Sequence, residues 1–256
     1  MDVLQAISLR GIVPVIKLAR AEDAVPLCSA LARGGLPVAE ITFRTDAAEE
    51  SIRRVHDQLP GMLLGAGTVL TRDQVDRAKA AGATYIVSPG LNPTVVRHCQ
   101  DICIPVLPGC ATPSDIERAL ELGLDTVKFF PAETLGGLSA IKAMSAPYGA
   151  VKFVPTGGID EKKLPAYLAF DKILACGGSW MVKEEWVNAG NFDAIERATR
   201  GAVDAMLGFS LGLADVQRLA AGEAITLRTH SVARATAYLI ENGIDMTTAR
   251  ITLVAG

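Results

Sequence analysis

Asp125-Thr126-Val127-Lys128-Phe129-Phe130-Pro131-Ala132-Glu133 is the stretch on which the reading of this chain turns. Val127, Phe129 and Phe130 make a short apolar run, and Pro131 closes it. Runs of the same kind recur at Gly11–Ile16, Ala39–Phe43, Met62–Thr68, Tyr85–Pro89, Ile102–Gly109, Lys152–Gly158 and Ile173–Trp180. Near-continuous apolar runs without alternation mark strands covered on both faces. Amphipathic segments lie between them, among them Ala21–Gly34, Asp46–Gln58, Arg72–Gly82, Thr94–Gln100 and Pro113–Gly123. Thr71 and Thr112 stand where helix caps are expected, and Gly34, Gly82 and Gly123 where helices should end. About eight buried strands, each followed by a helix, predict an α/β fold of the closed (β/α)8 TIM barrel kind. The runner-up, an open doubly wound sheet, would want a Gly-x-Gly-x-x-Gly turn where this chain has Ile16-Lys17-Leu18-Ala19.

Two pieces flank the barrel pattern. Asp2 to Leu9 predicts a short N-terminal helix that caps the barrel floor. Beyond about Gly208 the rhythm changes: Phe209–Leu213 and Ala224–Leu227 read as strands, Ser231–Asn242 as a helix and Ile251–Val254 as a final strand. The expected division is therefore a barrel over residues 1–207 and a small C-terminal β-α-β extension over 208–256, structural or oligomer-related. Such a piece is too small to stand alone, so Phe209, Leu213, Ile225, Tyr238 and Leu239 must find cover on the barrel or on another subunit.

Composition narrows the function. With 256 residues and a net charge of -3, the chain has no basic excess to hold nucleic acid. No apolar run reaches membrane-spanning length and no signal-peptide pattern opens the chain, so a cytoplasmic location is expected. The 5 cysteines are scattered and odd in number, which suggests no disulfide framework. His98, Cys99, Cys103 and Cys110 invite a zinc reading, but Cys103 begins an apolar run, and buried thiols are the preferred account.

Lys128 is the residue that asks for an explanation; Lys17 and Lys152 are expected earlier on their strands, toward or below the floor of the barrel. An ammonium in a buried strand carries a large desolvation cost, burial favours the free amine, and a free amine on rigid backbone is what Schiff-base chemistry requires. The competing reading is a lysine at a strand mouth that pairs with a carboxylate or reaches water. In a barrel of this kind the chemistry sits at the C-terminal ends of the strands. There, Glu40, Thr42 and Arg44 share one face of their strand. They would be either pocket residues or a structural ion pair. Gly65-Ala66-Gly67-Thr68 and Ser88-Pro89-Gly90 end in small residues that let a ligand approach backbone, or simply form turns. Pro155-Thr156-Gly157-Gly158 and Gly177-Gly178-Ser179-Trp180 place glycine turns on the last two strands, the usual phosphate cradle of this architecture. Together these suggest that Lys128 attacks a ketone, Glu40 moves protons, Arg44 and Thr68 hold a carboxylate, and Gly157, Gly158, Gly178 and Ser179 hold a phosphate. The substrate would be a 2-keto acid with a phosphorylated tail.

The ordered set of these motifs resembles the class I 2-keto-3-deoxy-6-phosphogluconate and 4-hydroxy-2-oxoglutarate aldolases (KDPG and KHG aldolases), from residue 1 to about 207. The resemblance implies a homotrimer that cleaves the phosphorylated keto acid to pyruvate and glyceraldehyde 3-phosphate, with 4-hydroxy-2-oxoglutarate as a related substrate. It implies Lys128 as the Schiff-base residue, Glu40 as a proton shuttle, and Arg44 and Thr68 at the pyruvate carboxylate. Phe130 matches an aromatic near the lysine, and Pro89 and Thr156 complete the pocket. No metal or other cofactor is implied. Two other functions fit the pattern less well: a phosphosugar epimerase or isomerase using Glu40 as base with Lys128 as an electrostatic stabiliser, and a non-catalytic phosphoester-binding barrel. Neither needs a buried lysine together with a carboxylate clamp.

Overall fold

The computed structural model describes residues 2–256, without the side chains of Leu213, Ala214, Val216 and Ala220. Strands β1 (Ile12–Ile16), β2 (Val38–Thr42), β3 (Leu63–Gly67), β4 (Tyr85–Val87), β5 (Val106–Leu107), β6 (Gly109–Cys110), β7 (Thr126–Phe129), β8 (Lys152–Pro155) and β9 (Cys176–Gly178) are short and buried. Helices alternate with them: α1 (Val3–Arg10), α2 (Ala24–Arg33), α3 (Ala48–Gln58), α4 (Arg72–Ala80), α5 (Pro93–Asp101), α6 (Pro113–Glu121), α7 (Gly137–Ser145), α8 (Leu164–Leu168), α9 (Glu184–Asn188) and α10 (Phe192–Leu207). Expected and observed elements agree closely because local rules suffice for most boundaries. Thr112 caps α6 through a reciprocal bond with Asp115, and Thr71 caps α4 by accepting from the Gln74 N–H.

All recorded strand pairs are parallel. One sheet of six has the order β5-β4-β3-β2-β1-β9, and a second of three has the order β6-β7-β8. The expected single run Ile102–Gly109 is the main difference among the strands before residue 208. Its first residues form the C-cap and turn that follow α5, with Cys103 at φ 55°, and Pro108 separates β5 from β6. Proline offers no N–H to a ladder, so the run pairs with β4 before it and with β7 after it. The result is an α/β fold with a parallel, curled sheet and helices outside it. The core is aliphatic, with Ile7, Ile12, Ile16, Leu27, Leu31, Ile41 and Phe153 fully buried.

The C-terminal piece departs from expectation at its start. Phe209–Leu213 is not a strand; helix α11 (Leu213–Ala220) begins there, with Gly212 at its cap and the Asp215 carboxylate accepting from the Gly212 N–H. The β-α-β unit itself is present as β10 (Ile225–Thr229), α12 (Val232–Glu241) and β11 (Ile251–Ala255), with β10 and β11 parallel. Ile225 and Leu239 are buried, and Phe209 and Tyr238 pack against the main core. The Leu213 side chain lies outside the described residues.

This piece is fastened to the N-terminal end of the sheet. Arg234, largely buried, donates from Nε to Ser8 O at 3.0 Å and from its terminal nitrogen to Leu174 O at 3.2 Å. Arg10 pairs with Glu241 at 2.9 Å. Thr229 Oγ1 and the His230 N–H both donate to Leu207 O, at 2.7 and 2.9 Å. Replacing Arg234 with alanine removes two charge-assisted bonds and opens a cavity. Urea unfolding should show a loss of about 1.5–3 kcal/mol; an unchanged midpoint would mean the arginine contributes nothing to this junction.

Candidate active site

Lys128 is the third residue of β7, between Gly109 and Val154 in register. Glu40 is the third residue of β2, between Val15 and Gly65. These strands are not neighbours in either sheet, so the two side chains meet across the interior. Lys128 Nζ lies 3.3 Å from Glu40 Oε1, with side chains 7% and 4% exposed. The alternative raised by the sequence, that the lysine pairs with a carboxylate, is therefore met by the residue expected to move protons. Of the two alternatives for Glu40 and Arg44, pocket residues or a structural ion pair, the ion pair is not among the described contacts. Arg44 Nε instead donates to Thr42 Oγ1 at 3.1 Å, and Thr42 donates on to Ile16 O at 2.7 Å.

The surroundings leave the pair little freedom. A Cβ on Gly67 would fall 2.2 Å from Glu40 Oε1, so the strand next to Glu40 must carry glycine for the carboxylate to reach inward. Tyr85 occupies the matching space over Gly65, and its hydroxyl donates to Ala39 O at 3.3 Å. Burial, reinforced by the Glu40 charge, pushes that hydroxyl well above the ordinary tyrosine range, so it remains a proton donor. On the outer side Lys128 Nζ sits 5.4 Å from the centre of the Phe130 ring, a cation–π contact with a half-open aromatic.

Arg44 and Ser179, expected at opposite ends of a substrate, both line a cavity of about 480 Å³, with Val15, Lys17 and Trp180 also in its wall. Lys17 is a correction. The sequence reading set it toward the barrel floor, yet β1 ends at Ile16 and Lys17 stands at the C-terminal end, paired with Glu184 at 3.1 Å. Its position directly after a four-residue β-branched and proline run was the available signal. Lys152, by contrast, opens β8 at the floor as expected.

Thr68 follows β3 with φ 56°, a conformation unfavourable for a β-branched residue and of the kind held at functional sites. Pro89 follows β4, and its carbonyl oxygen would be 2.0 Å from a Cβ on Gly109, the strand neighbour of Lys128. Thr68 and Pro89 thus stand at strand ends beside the pair, but neither hydrogen-bonds to it among the described residues. Thr156 is buried and bridges to Gly177, where a Cβ would be 2.2 Å from Thr156 Oγ1. The turn that follows takes Gly157 to φ 104° and Gly158 to φ 78°. Gly178 lies under the Trp180 ring, 1.8 Å from where its Cβ would be. The histidine and cysteines considered for zinc have other surroundings. His98 Nε2 contacts Asp76 at 2.7 Å, and burial pushes the thiols of Cys99 and Cys110 up to about 12, away from the thiolate a metal would need.

A parallel α/β sheet that meets a lysine and a glutamate inside its strand ends defines a frame for imine-forming lyase chemistry. The sequence model described as KDPG and KHG aldolase matches residues 3–198, and the chain belongs to that family. The 2-dehydro-3-deoxy-phosphogluconate aldolase of Treponema pallidum is 50% identical over 195 residues, 76% of this chain and 93% of its own length. Among solved structures, the KDPG aldolase of Legionella pneumophila, with pyruvate captured as a covalent carbinolamine intermediate, superposes with a TM-score of 0.76 at 36% identity. It covers 79% of this chain and 98% of that one. The 2-keto-3-deoxy-6-phosphogluconate aldolase of Zymomonas mobilis ZM4, with 3-phosphoglycerate, gives a TM-score of 0.73 at 40% identity, covering 78% and 94%.

The close approach at Gly67 makes a direct test of the pair. Gly67→Ala should push the Glu40 carboxylate away from Lys128 while leaving the backbone free of strain. Aldol cleavage should fall by about 10²-fold or more, within the range that general acid–base groups supply. Wild-type turnover in a folded variant would show that the 3.3 Å contact is not needed.

Proposed function

We propose that this chain is a class I aldolase that cleaves 2-keto-3-deoxy-6-phosphogluconate to pyruvate and glyceraldehyde 3-phosphate, and 4-hydroxy-2-oxoglutarate to pyruvate and glyoxylate. The observation that carries the reading is the buried contact of Lys128 Nζ with Glu40 Oε1 at 3.3 Å. The amine attacks the C2 ketone, and loss of water gives an iminium. The C4 hydroxyl then loses its proton, the C3–C4 electron pair flows into the iminium, and the aldehyde leaves. Protonation of the enamine at C3 and hydrolysis release pyruvate and free the lysine. Glu40 is the group within reach for these proton transfers, and Tyr85 confines it. Arg44 and Thr68 hold the pyruvate carboxylate, Pro89, Phe130 and Thr156 line the pocket, and Gly157, Gly158, Gly178 and Ser179 receive the phosphate. Support for this division comes from the cavity that joins Arg44 to Ser179 and from the positive φ values of Gly157 and Gly158.

Three structural expectations belong to the same reading. The two sheets act as one closed eight-stranded barrel; in support, only Pro108 separates β5 from β6, and Thr156 makes a parallel bridge to Gly177 in β9 and Phe153 one to Ile173 shortly before it. Residues 1–207 form the catalytic unit and 208–256 a structural extension, in keeping with the end of the family match at residue 198. The working form is a cytoplasmic homotrimer; Leu70 and Leu135, exposed on segments after strand ends, are apolar surface of the kind subunits cover, and sedimentation decides the number. No described helix is long and apolar enough to cross a membrane.

Borohydride reduction with pyruvate, followed by mass measurement, tests the chemistry. A pyruvate-derived adduct on Lys128 is expected, with none in Lys128→Ala; trapping at another lysine would overturn the assignment and revive the epimerase or binding-protein readings. Because Lys128→Ala leaves Glu40 buried without its cation, the double variant Lys128→Met/Glu40→Gln serves as the folded control. Truncation after Leu207 should lower thermal stability but preserve kcat in the folded fraction. An intact oligomer with collapsed kcat would show that the extension belongs to the site.

A further inference from the structure

One cluster of charged and hydroxyl side chains is used by nothing above. Glu133, on the segment after β7, carries two partners from the segment after β8: Lys163 Nζ at 2.7 Å from Oε2, and the Tyr167 hydroxyl, which donates to Oε1. Lys163 and Tyr167 together hold the Glu133 carboxyl below the usual carboxylate range. The network needs small neighbours, since a Cβ on Gly137 would be 2.8 Å from Glu133 Oε1 and 2.9 Å from the Tyr167 oxygen.

The cluster reaches the glycine turn through its carbonyl groups. The Ala132 N–H donates to Thr156 O at 2.8 Å, and the Glu133 N–H to Gly157 O at 3.0 Å. Lys163 Nζ donates to Gly158 O at 2.9 Å. Three consecutive carbonyls of the turn are thereby tied to one side. In a trans peptide the C=O and the following N–H point in opposite directions. The N–H groups of Gly157, Gly158 and Ile159 are consequently turned to the other side. Those of Gly158 and Ile159 have no hydrogen-bond acceptor among the described residues. Successive N–H groups so directed make a concave donor for an anion. Gly157 and Gly158, at φ 104° and 78°, have broad conformational freedom of their own, so the direction must be imposed from outside. Two of the three ties are backbone bonds; the third, at Gly158, rests on a lysine held by Glu133.

We propose that Lys163, Glu133 and Tyr167 are positioning residues that hold the Gly157–Gly158 turn with its amides facing the substrate phosphate, and so set the preference for a phosphorylated tail. The inference rests on the aldolase reading and deepens it. None of the three touches the reacting atoms, and turnover of a substrate lacking phosphate does not depend on them.

Steady-state kinetics of Lys163→Met, Glu133→Gln and Tyr167→Phe on 2-keto-3-deoxy-6-phosphogluconate and on 4-hydroxy-2-oxoglutarate test this, with circular dichroism to verify folding. KM for the phosphorylated substrate should rise about tenfold, with kcat and the kinetics of the other substrate within about twofold of wild type. Lys163→Arg, which keeps charge and donor, should recover most of the loss. Tyr167→Phe removes one oxygen only and keeps the test open if the charge variants unfold. Unchanged KM in folded variants, or equal losses on both substrates, would overturn the proposal. Ser179→Ala separates this from failure of the parent reading. If wild type favours the phosphorylated substrate and Ser179→Ala loses that preference while the three variants keep it, only the positioning role falls. If wild type shows no preference at all, the phosphate site itself is wrong, and this proposal falls with it.

Discussion

A cation and a carboxylate buried together on non-adjacent strands are the constraint around which the rest of this molecule is arranged. Taking Lys128 and Glu40 out of water costs several kcal/mol for each ion, and removal of one partner typically costs about 3–5 kcal/mol. A hydrophobic pair in the same place would be at least as stable, so stability alone does not explain the arrangement. What it demands from the scaffold is visible in the neighbours. Gly67 must lack a Cβ, Tyr85 must fill the space over Gly65, and the two strands must bring their third residues within contact across the interior. An epimerase could use the lysine to stabilise charge but would have no need for the carboxylate clamp proposed for Arg44 and Thr68, and an idle phosphate-binding barrel would have no reason to keep a buried lysine.

The two ends of the sheet carry different loads. At the C-terminal end lie Lys128 and Glu40 on their strands, and Arg44, Ser179 and the glycine turns on the segments that follow strands. At the N-terminal end, α1, the approach to β9 and the C-terminal extension are joined by Arg234, Arg10 and the carbonyl of Leu207. The extension thus adds cover where the family match has already ended, away from the proposed chemistry. The contacts of residues 208–256 with α1 and the approach to β9 lie at the opposite end of the sheet from the lysine.

The sequence by itself determined the alternation of buried strands and helices, because periodicity, threonine caps and terminal glycines act over a few residues. It also singled out Lys128, since an amine in an apolar run contradicts its surroundings, and it set Glu40 and Thr42 on one face of β2; Arg44, expected on the same face, lies instead in the turn after the strand ends at Thr42. It misread Phe209–Leu213 as a strand, because an apolar run that short carries no period of its own and the Gly212 cap settles the matter. Only the tertiary structure decided who meets whom. Glu40 is 88 residues from Lys128 in the chain, and nothing in either segment names the other as its partner; the curl of the sheet brings them within 3.3 Å. The same holds for Lys17, whose place at a strand end depended on where β1 stopped, and for the tie between Lys163 and Glu133. Local patterns specify elements because their energies are local; a site is a set of long-range distances, and those exist only once the chain has closed on itself.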